Sequence, residues 1–134
     1  MLKYFKYIWL PAIIAIIIFY LCCIMTSNDI PDVEWEFFIE TDKIIHFLMY
    51  FGLSAVASFN YIYIKKGHII ILKLIAFTIL VPILYGGLIE VIQSEYCIGR
   101  TGDWFDFGAD TLGSLASLPF SFWFRRFMLN RQEE

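Results

Sequence analysis

The chain has 134 residues, of which 60% are apolar, 19% aromatic and 17% charged, with a formal net charge of −3. Soluble domains run at about 45–50% apolar and about 25% charged, so this composition speaks against a soluble enzyme, a disordered tail and a disulfide scaffold. With no basic excess it also speaks against a nucleic-acid partner, and the length suits a single domain, residues 1–134.

Four apolar stretches follow one another, at roughly 4–25, 43–64, 69–93 and 106–129. Each is long enough for a bilayer core of about 30 Å, which takes about 20 helical residues. None alternates in the manner of a strand, and a backbone in lipid must satisfy its own polar groups, which a helix does. The expected fold is all-α, a polytopic membrane protein with four transmembrane helices. Lys3 and Lys6 give the first stretch a basic start, and it resembles a signal peptide in that respect. It is long for one, however, and no A-x-A site follows, so it reads as an uncleaved anchor. Tyr20 and Leu21 are too large for lipoprotein processing at Cys22 and Cys23. These two cysteines read as packed or lipid-facing, and Cys97 is given no role.

The loop at 26–41 mixes Trp35, Phe37 and Phe38 with acids, which suits a short interfacial helix. The second stretch opens on Asp42-Lys43-x-x-His46-x-x-x-Tyr50, and residues 42, 46, 50 and 54 share one helix face. Asp42 reads as the helix N-cap; His46, about one turn inside the membrane, reads either as a satisfied structural histidine or as a working acid, base or ligand. Lys65-Lys66-Gly67-His68 is a tight turn. The third stretch carries Pro82, a potential kink, then Gly86-Gly87 and Glu90-x-x-Gln93. Glu90, near a helix C-terminus where the dipole disfavours an anion, needs a cation, a proton or a hydrogen-bond donor; Arg100 and Lys43 are the expected partners. The fourth stretch opens on Gly99-Arg100-x-x-Asp103-x-x-Asp106-x-x-x-Asp110. Asp103 and Asp106 fit an N-cap and N3 pair of the capping-box type, which leaves Asp110 unexplained. Gly113-x-x-x-Ser117 is a small-residue packing signal, and Ser114, Ser117 and Ser121 extend a small polar face.

The charges sort by position. Lys3, Lys6, Lys65, Lys66, Lys73, Arg125, Arg126 and Arg131, with Glu133 and Glu134, fall at one end and sum to +6; the remaining 11 acids, Lys43 and Arg100 fall at the other and sum to −9. Eight of the ten Lys and Arg therefore share the side of both termini, which the positive-inside rule makes cytoplasmic (N-in, C-in).

Asp42-Lys43-Ile44-Ile45-His46-Phe47 with Tyr50, then Glu90 with Gln93, then Gly99-Arg100, Asp103, Asp106, Thr111 and Gly113 together resemble the VanZ-like family of small bacterial membrane proteins. The resemblance covers roughly residues 41–115 and the four-helix layout. Asp110 departs from it, standing where the family usually has Asn. The resemblance implies a place in the bacterial cytoplasmic membrane and a role in the cell envelope, in a family named for low-level teicoplanin resistance. It supplies no reaction.

Three functional readings follow. In the first, His46, Glu90, Asp106 and Asp110 are catalytic candidates in an outward site, and Lys43, Tyr50, Gln93, Arg100 and Asp103 bind a lipid-linked or cell-wall precursor. No metal ligand set or cofactor is assigned, although one histidine with carboxylates has the donor chemistry of Mg²⁺, Mn²⁺ or Ca²⁺ rather than of a thiolate zinc site. In the second, the same groups form a closed structural network that supports binding of a membrane partner. In the third, the protein is a small transporter, which four helices without a continuous polar path serve poorly.

Overall fold

The structure, a computed structural model, describes residues 2–24, 35–97 and 102–133, with side chains at 5–24, 42–97 and 102–133. The described elements are α1 (Leu2–Phe19, continued by a π turn at Tyr20–Ile24), α2 (Trp35–Ile64), α3 (Ile71–Ile75, followed by a π turn at Ala76–Leu80), α4 (Val81–Tyr96) and α5 (Trp104–Asn130). No strand occurs among the described residues. Three segments are long and apolar enough to cross a membrane: Phe5–Ile24, Asp42–Ile64 and Ile71–Tyr96. The last combines α3, its π turn and α4. The helix α5, at 27 residues, is long enough but less apolar.

The inside and outside of this bundle are inverted relative to a soluble protein. Among the described residues, eleven buried side chains are polar or charged and nine are apolar. Large apolar side chains such as Ile16, Phe77, Leu84 and Leu112 are exposed instead. In water such surfaces would be a liability; against lipid tails they cost nothing.

Helix α2 begins earlier than its apolar pattern indicates. Trp35–Thr41, expected as loop or as a separate interfacial helix, form its first two turns, and the loop before Trp35 lies outside the described residues. Asp42 is consequently not an N-cap. It sits inside the helix, where the amides of its own turn already have intrahelical partners.

The prolines shape the first and third spans. Pro11 has no N–H, which deprives the Tyr7 carbonyl of its usual partner. The Asn60 side chain of α2 donates to that oxygen at 3.1 Å and to the Lys6 carbonyl at 3.0 Å. Pro82 similarly crowds the Thr78 carbonyl, and the π turn Ala76–Leu80 is where the helix absorbs the lost bond. Two further side-chain donors fasten α1 to α4: Tyr85 hydroxyl to the Ala15 carbonyl at 2.7 Å, and Gln93 amide to the Cys22 carbonyl at 2.9 Å.

The most extensive contact is between α2 and α5. It is a seam of small residues, with Ser54 and Ser58 buried on α2 and Ser114, Ser117 and Ser121 buried on α5. At its tightest point Gly113 lies directly on the α2 backbone. A Cβ there would overlap the Phe47 carbonyl oxygen and stand 3.0 Å from the Phe51 nitrogen. Phe51–Phe120 and Phe59–Phe124 ring pairs, with centroids 5.5 and 4.7 Å apart, flank the seam. At the far end, Arg125 Nε donates to the Gly67 carbonyl (3.2 Å) and Gln132 to that of Lys66, which docks the end of α5 on the α2–α3 turn. That turn ends α2 through the Ile62 and Tyr63 carbonyls, with Lys66 and Gly67 both at positive φ (51° and 80°).

Gly113→Ala should therefore destabilise the protein in detergent by about 1–3 kcal/mol, the usual cost of overpacking, although alanine is the better helix former. Gly108, on the same helix, has nothing within 4 Å of its would-be Cβ. Gly108→Ala should be neutral or stabilising by up to about 1 kcal/mol. Paired melting curves of the two variants check this.

Candidate functional site

The start of α5 is built by residues of two helices. Asp103 is the N-cap, its carboxylate accepting from the Phe105 amide at 2.9 Å. In a capping box the residue at N3 accepts the N-cap amide in return. Here Asp106 does not. The Asp103 amide donates to Glu90 Oε2 of α4 at 2.7 Å. Gly102 makes this possible, because a Cβ there would stand 2.5 Å from the Glu90 carbonyl oxygen. Glu90 thus receives the donor that its place at a helix C-terminal end requires, from a backbone amide rather than from Lys43. Arg100, the other expected partner, lies outside the described residues.

Freed from capping, Asp106 turns toward α2. Lys43 Nζ stands 3.9 Å from Asp106 Oδ1 and 3.7 Å from Asp103 Oδ2, half-buried at the rim of the cluster. One turn deeper, His46 Nδ1 meets Asp110 Oδ1 at 2.9 Å, with the histidine 1% and the aspartate 0% exposed. With the proton on Nδ1 the ring donates to the carboxylate. Asp110 reaches this position because α4 carries no side chain at Gly86. A Cβ at Gly86 would stand 2.9 Å from Asp110 Oδ2 and 3.3 Å from the Tyr50 ring.

The structure therefore brings together His46, Glu90, Asp106 and Asp110, with Lys43 and Asp103 at the rim. It adds Asp42, whose carboxylate is grouped with His46 and Asp106 with donor atoms within 4.8 Å of one another; the i, i+4 spacing to His46 was the available signal. Tyr50 is fully buried against Tyr85, their ring centroids 6.3 Å apart. Gln93 donates from its amide to the Cys22 carbonyl.

The cluster is enclosed, yet not internally satisfied. Glu90 Oε1, Asp106 Oδ1, Asp110 Oδ2 and the Tyr50 hydroxyl are buried without a hydrogen-bond partner among the described residues. Deeper along the seam, Ser117 and Ser121 bond back to carbonyls of their own helix, while the Ser54, Ser58 and Ser114 hydroxyls are also buried without a hydrogen-bond partner among the described residues. The surface hollow lined by Tyr63, Lys66, Met128 and Arg131 lies at the opposite end of the bundle and does not touch the cluster.

Glu90→Ala removes the acceptor for the Asp103 amide and should lower stability by about 0.5–2 kcal/mol, the range for a lost cap. Glu90→Gln keeps a carbonyl oxygen in place and should lose little. Thermal unfolding of both variants in the same detergent separates the acceptor role from the charge. Comparisons with protein-family models, with curated proteins and with solved structures find no match to this chain.

Proposed function

We propose that this chain is a VanZ-like membrane protein with four spans, both termini cytoplasmic, whose outward polar cluster binds a lipid-linked or cell-wall precursor of the bacterial envelope. Support for the fourth span comes from the two faces of α5. Its low average apolarity comes from buried Ser114, Ser117 and Ser121, while Leu112, Leu115, Phe120 and Trp123 face outward. At about 1.5 Å per residue its 27 residues are long enough to span. Lys6 and Lys65 both lie over the Tyr7 ring, and Arg125 reaches Gly67, so the basic groups gather at one end and the acids at the other.

The observation that carries the functional reading is the incomplete hydrogen bonding of the cluster. A network kept only to hold helices together must satisfy all of its members, because a half-paired charge in a membrane is expensive. Here three buried carboxylate oxygens lack a hydrogen-bond partner among the described residues. Such a site is built for a group that supplies donors or positive charge. Hydroxyls of a lipid-linked or cell-wall headgroup would donate to these oxygens, while Lys43 and Arg100 would meet its phosphate, which Arg in particular binds bidentately. His46 and Asp110 would orient or shuttle a proton.

The test is retention of a polyisoprenyl phosphate by the purified protein, read by native mass spectrometry against a neutral polyisoprenol. Lys43→Ala should weaken retention by about tenfold or more, since a hydrogen bond to a charged group is worth about 1.5–3 kcal/mol. His46→Ala and Asp106→Asn should abolish function in cells at unchanged membrane abundance. Abundance falling in step with function would favour the structural reading, for which the Glu90–Asp103 contact is the specific support. The orientation is checked separately: a fluorescent protein fused after Glu134 should fold and fluoresce, and a phosphatase at the same position should be inactive.

A further inference from the structure

Two groups of potential metal ligands meet at His46: Asp42, His46 and Asp106, and His46, Glu90 and Asp110. Within each group one donor atom per residue lies within 4.8 Å of the others. Asp106 of the first group already has Lys43 nearby, at 3.9 Å. The second group has no Lys or Arg partner among the described residues, and all three of its members are buried. Two of its carboxylate oxygens, Glu90 Oε1 and Asp110 Oδ2, are buried without a hydrogen bond, on residues 7% and 0% exposed.

Charge leads to the same place. Asp42, Glu90, Asp103, Asp106 and Asp110 gather at this end, and the sequence offers only Lys43, His46 and Arg100 to balance them. Even with the histidine charged and Arg100 counted, the cluster is two positive charges short. Buried carboxylates in a membrane relieve such a deficit by taking up a proton or a counter-charge.

We propose that His46, Glu90 and Asp110 hold a divalent cation between α2, α4 and α5. One imidazole nitrogen and two carboxylates suit Mn²⁺ or Mg²⁺. Metal–oxygen bonds of about 2.0–2.2 Å place ligand atoms at most about 4.4 Å apart, so the side chains need draw in only slightly. From the charged imidazole the Nδ1 proton shared with Asp110 leaves to water as the ion enters, and the ring binds as neutral imidazole with its remaining proton on Nε2. Glu90 keeps Oε2 on the Asp103 amide and offers Oε1 to the ion, so the cap of α5 and the cation would use different oxygens of one carboxylate. This deepens the reading of the cluster given above: a cation at this depth would present positive charge toward a phosphate entering past Lys43.

The test uses the full chain in detergent, stripped with chelator and titrated with Mn²⁺ without lipid, so that its outcome is independent of precursor binding. Free Mn²⁺ is counted by electron paramagnetic resonance, and pulsed measurements on the bound ion look for coupling to an imidazole nitrogen. One tight Mn²⁺ per chain with nitrogen coupling is expected. Glu90→Gln and Asp110→Asn should each weaken it by at least about tenfold, the scale for losing even an outer-shell partner of a metal site. Glu90→Gln serves as the folded variant because it retains the oxygen that caps α5. The cation site is overturned if the wild-type chain binds no Mn²⁺ tightly, if the bound ion shows no nitrogen coupling, or if wild type and Glu90→Gln bind it equally. Polyisoprenyl phosphate retention that survives any of these results leaves the precursor reading standing by itself.

Discussion

The contact of Gly113 with the backbone of α2 is the constraint on which the rest of the bundle depends. Two helices whose interface carries ordinary side chains sit about 8–10 Å apart, and closer approach requires small residues at the crossing. Gly113 permits it, and the serines on either side extend it along both helices. Asp110 lies three residues before Gly113 on α5, and His46 lies next to Phe47, the residue Gly113 touches. The same close approach therefore brings the imidazole and the carboxylate to 2.9 Å. A wider crossing would leave each of them buried and alone. Packing and chemistry are in this sense one feature, set by a residue with no side chain.

The other helices join this pair through the apolar cluster of Ile18, Cys22, Tyr50, Leu53 and Ile89 and through hydrogen bonds to backbone carbonyls, which suit an interior surrounded by lipid. Hydrophobic burial gives helices little reason to associate when the surrounding lipid is as apolar as their side chains. Asn60, Tyr85 and Gln93 instead reach across to carbonyls of α1. The Asn60 bond exists because Pro11 leaves the Tyr7 carbonyl without its helical partner, so a residue that weakens α1 locally creates its attachment to α2. Glu90 follows the same pattern, as a side chain of α4 serving the backbone of α5.

What was legible in the sequence, and what was not, divides along the distance over which each feature is determined. Three of the four apolar runs, the Asp103 cap and the stripe through His46, Tyr50 and Ser54 depend on neighbours within a turn or two, and the structure carries these as expected. The apolar pattern begins after Asp42 and so marks it as a cap. That pattern marks where lipid contact starts rather than where the helix starts, and α2 begins at Trp35. The pairing of Glu90 with the Asp103 amide spans 13 residues and two helices. No local rule reaches it, although Gly102 beside the cap is in retrospect its trace. Gln93 shares a helical face with Glu90 by spacing, and the partner of its amide, a carbonyl at the end of α1, lies 71 residues away in sequence.

Sharing Glu90 between a cap and a cluster also bears on why that cluster could be tolerated in lipid at all. A carboxylate whose only role was to bind a ligand would be free to turn away from its neighbours when the ligand is absent. Glu90 is not free to do so, because Oε2 is held at 2.7 Å by the amide that starts α5. Asp110 is held by His46, and His46 by its place on α2 against Gly113's helix. Glu90 and Asp110 are each anchored through one oxygen while the other is left without a hydrogen bond among the described residues. Anchoring fixes the geometry in advance, so a cation or donor that enters loses little free energy to ordering its ligands. The unpaired oxygens are then the cost of preorganisation, and the tight α2–α5 crossing is what keeps the helices together while that cost is carried.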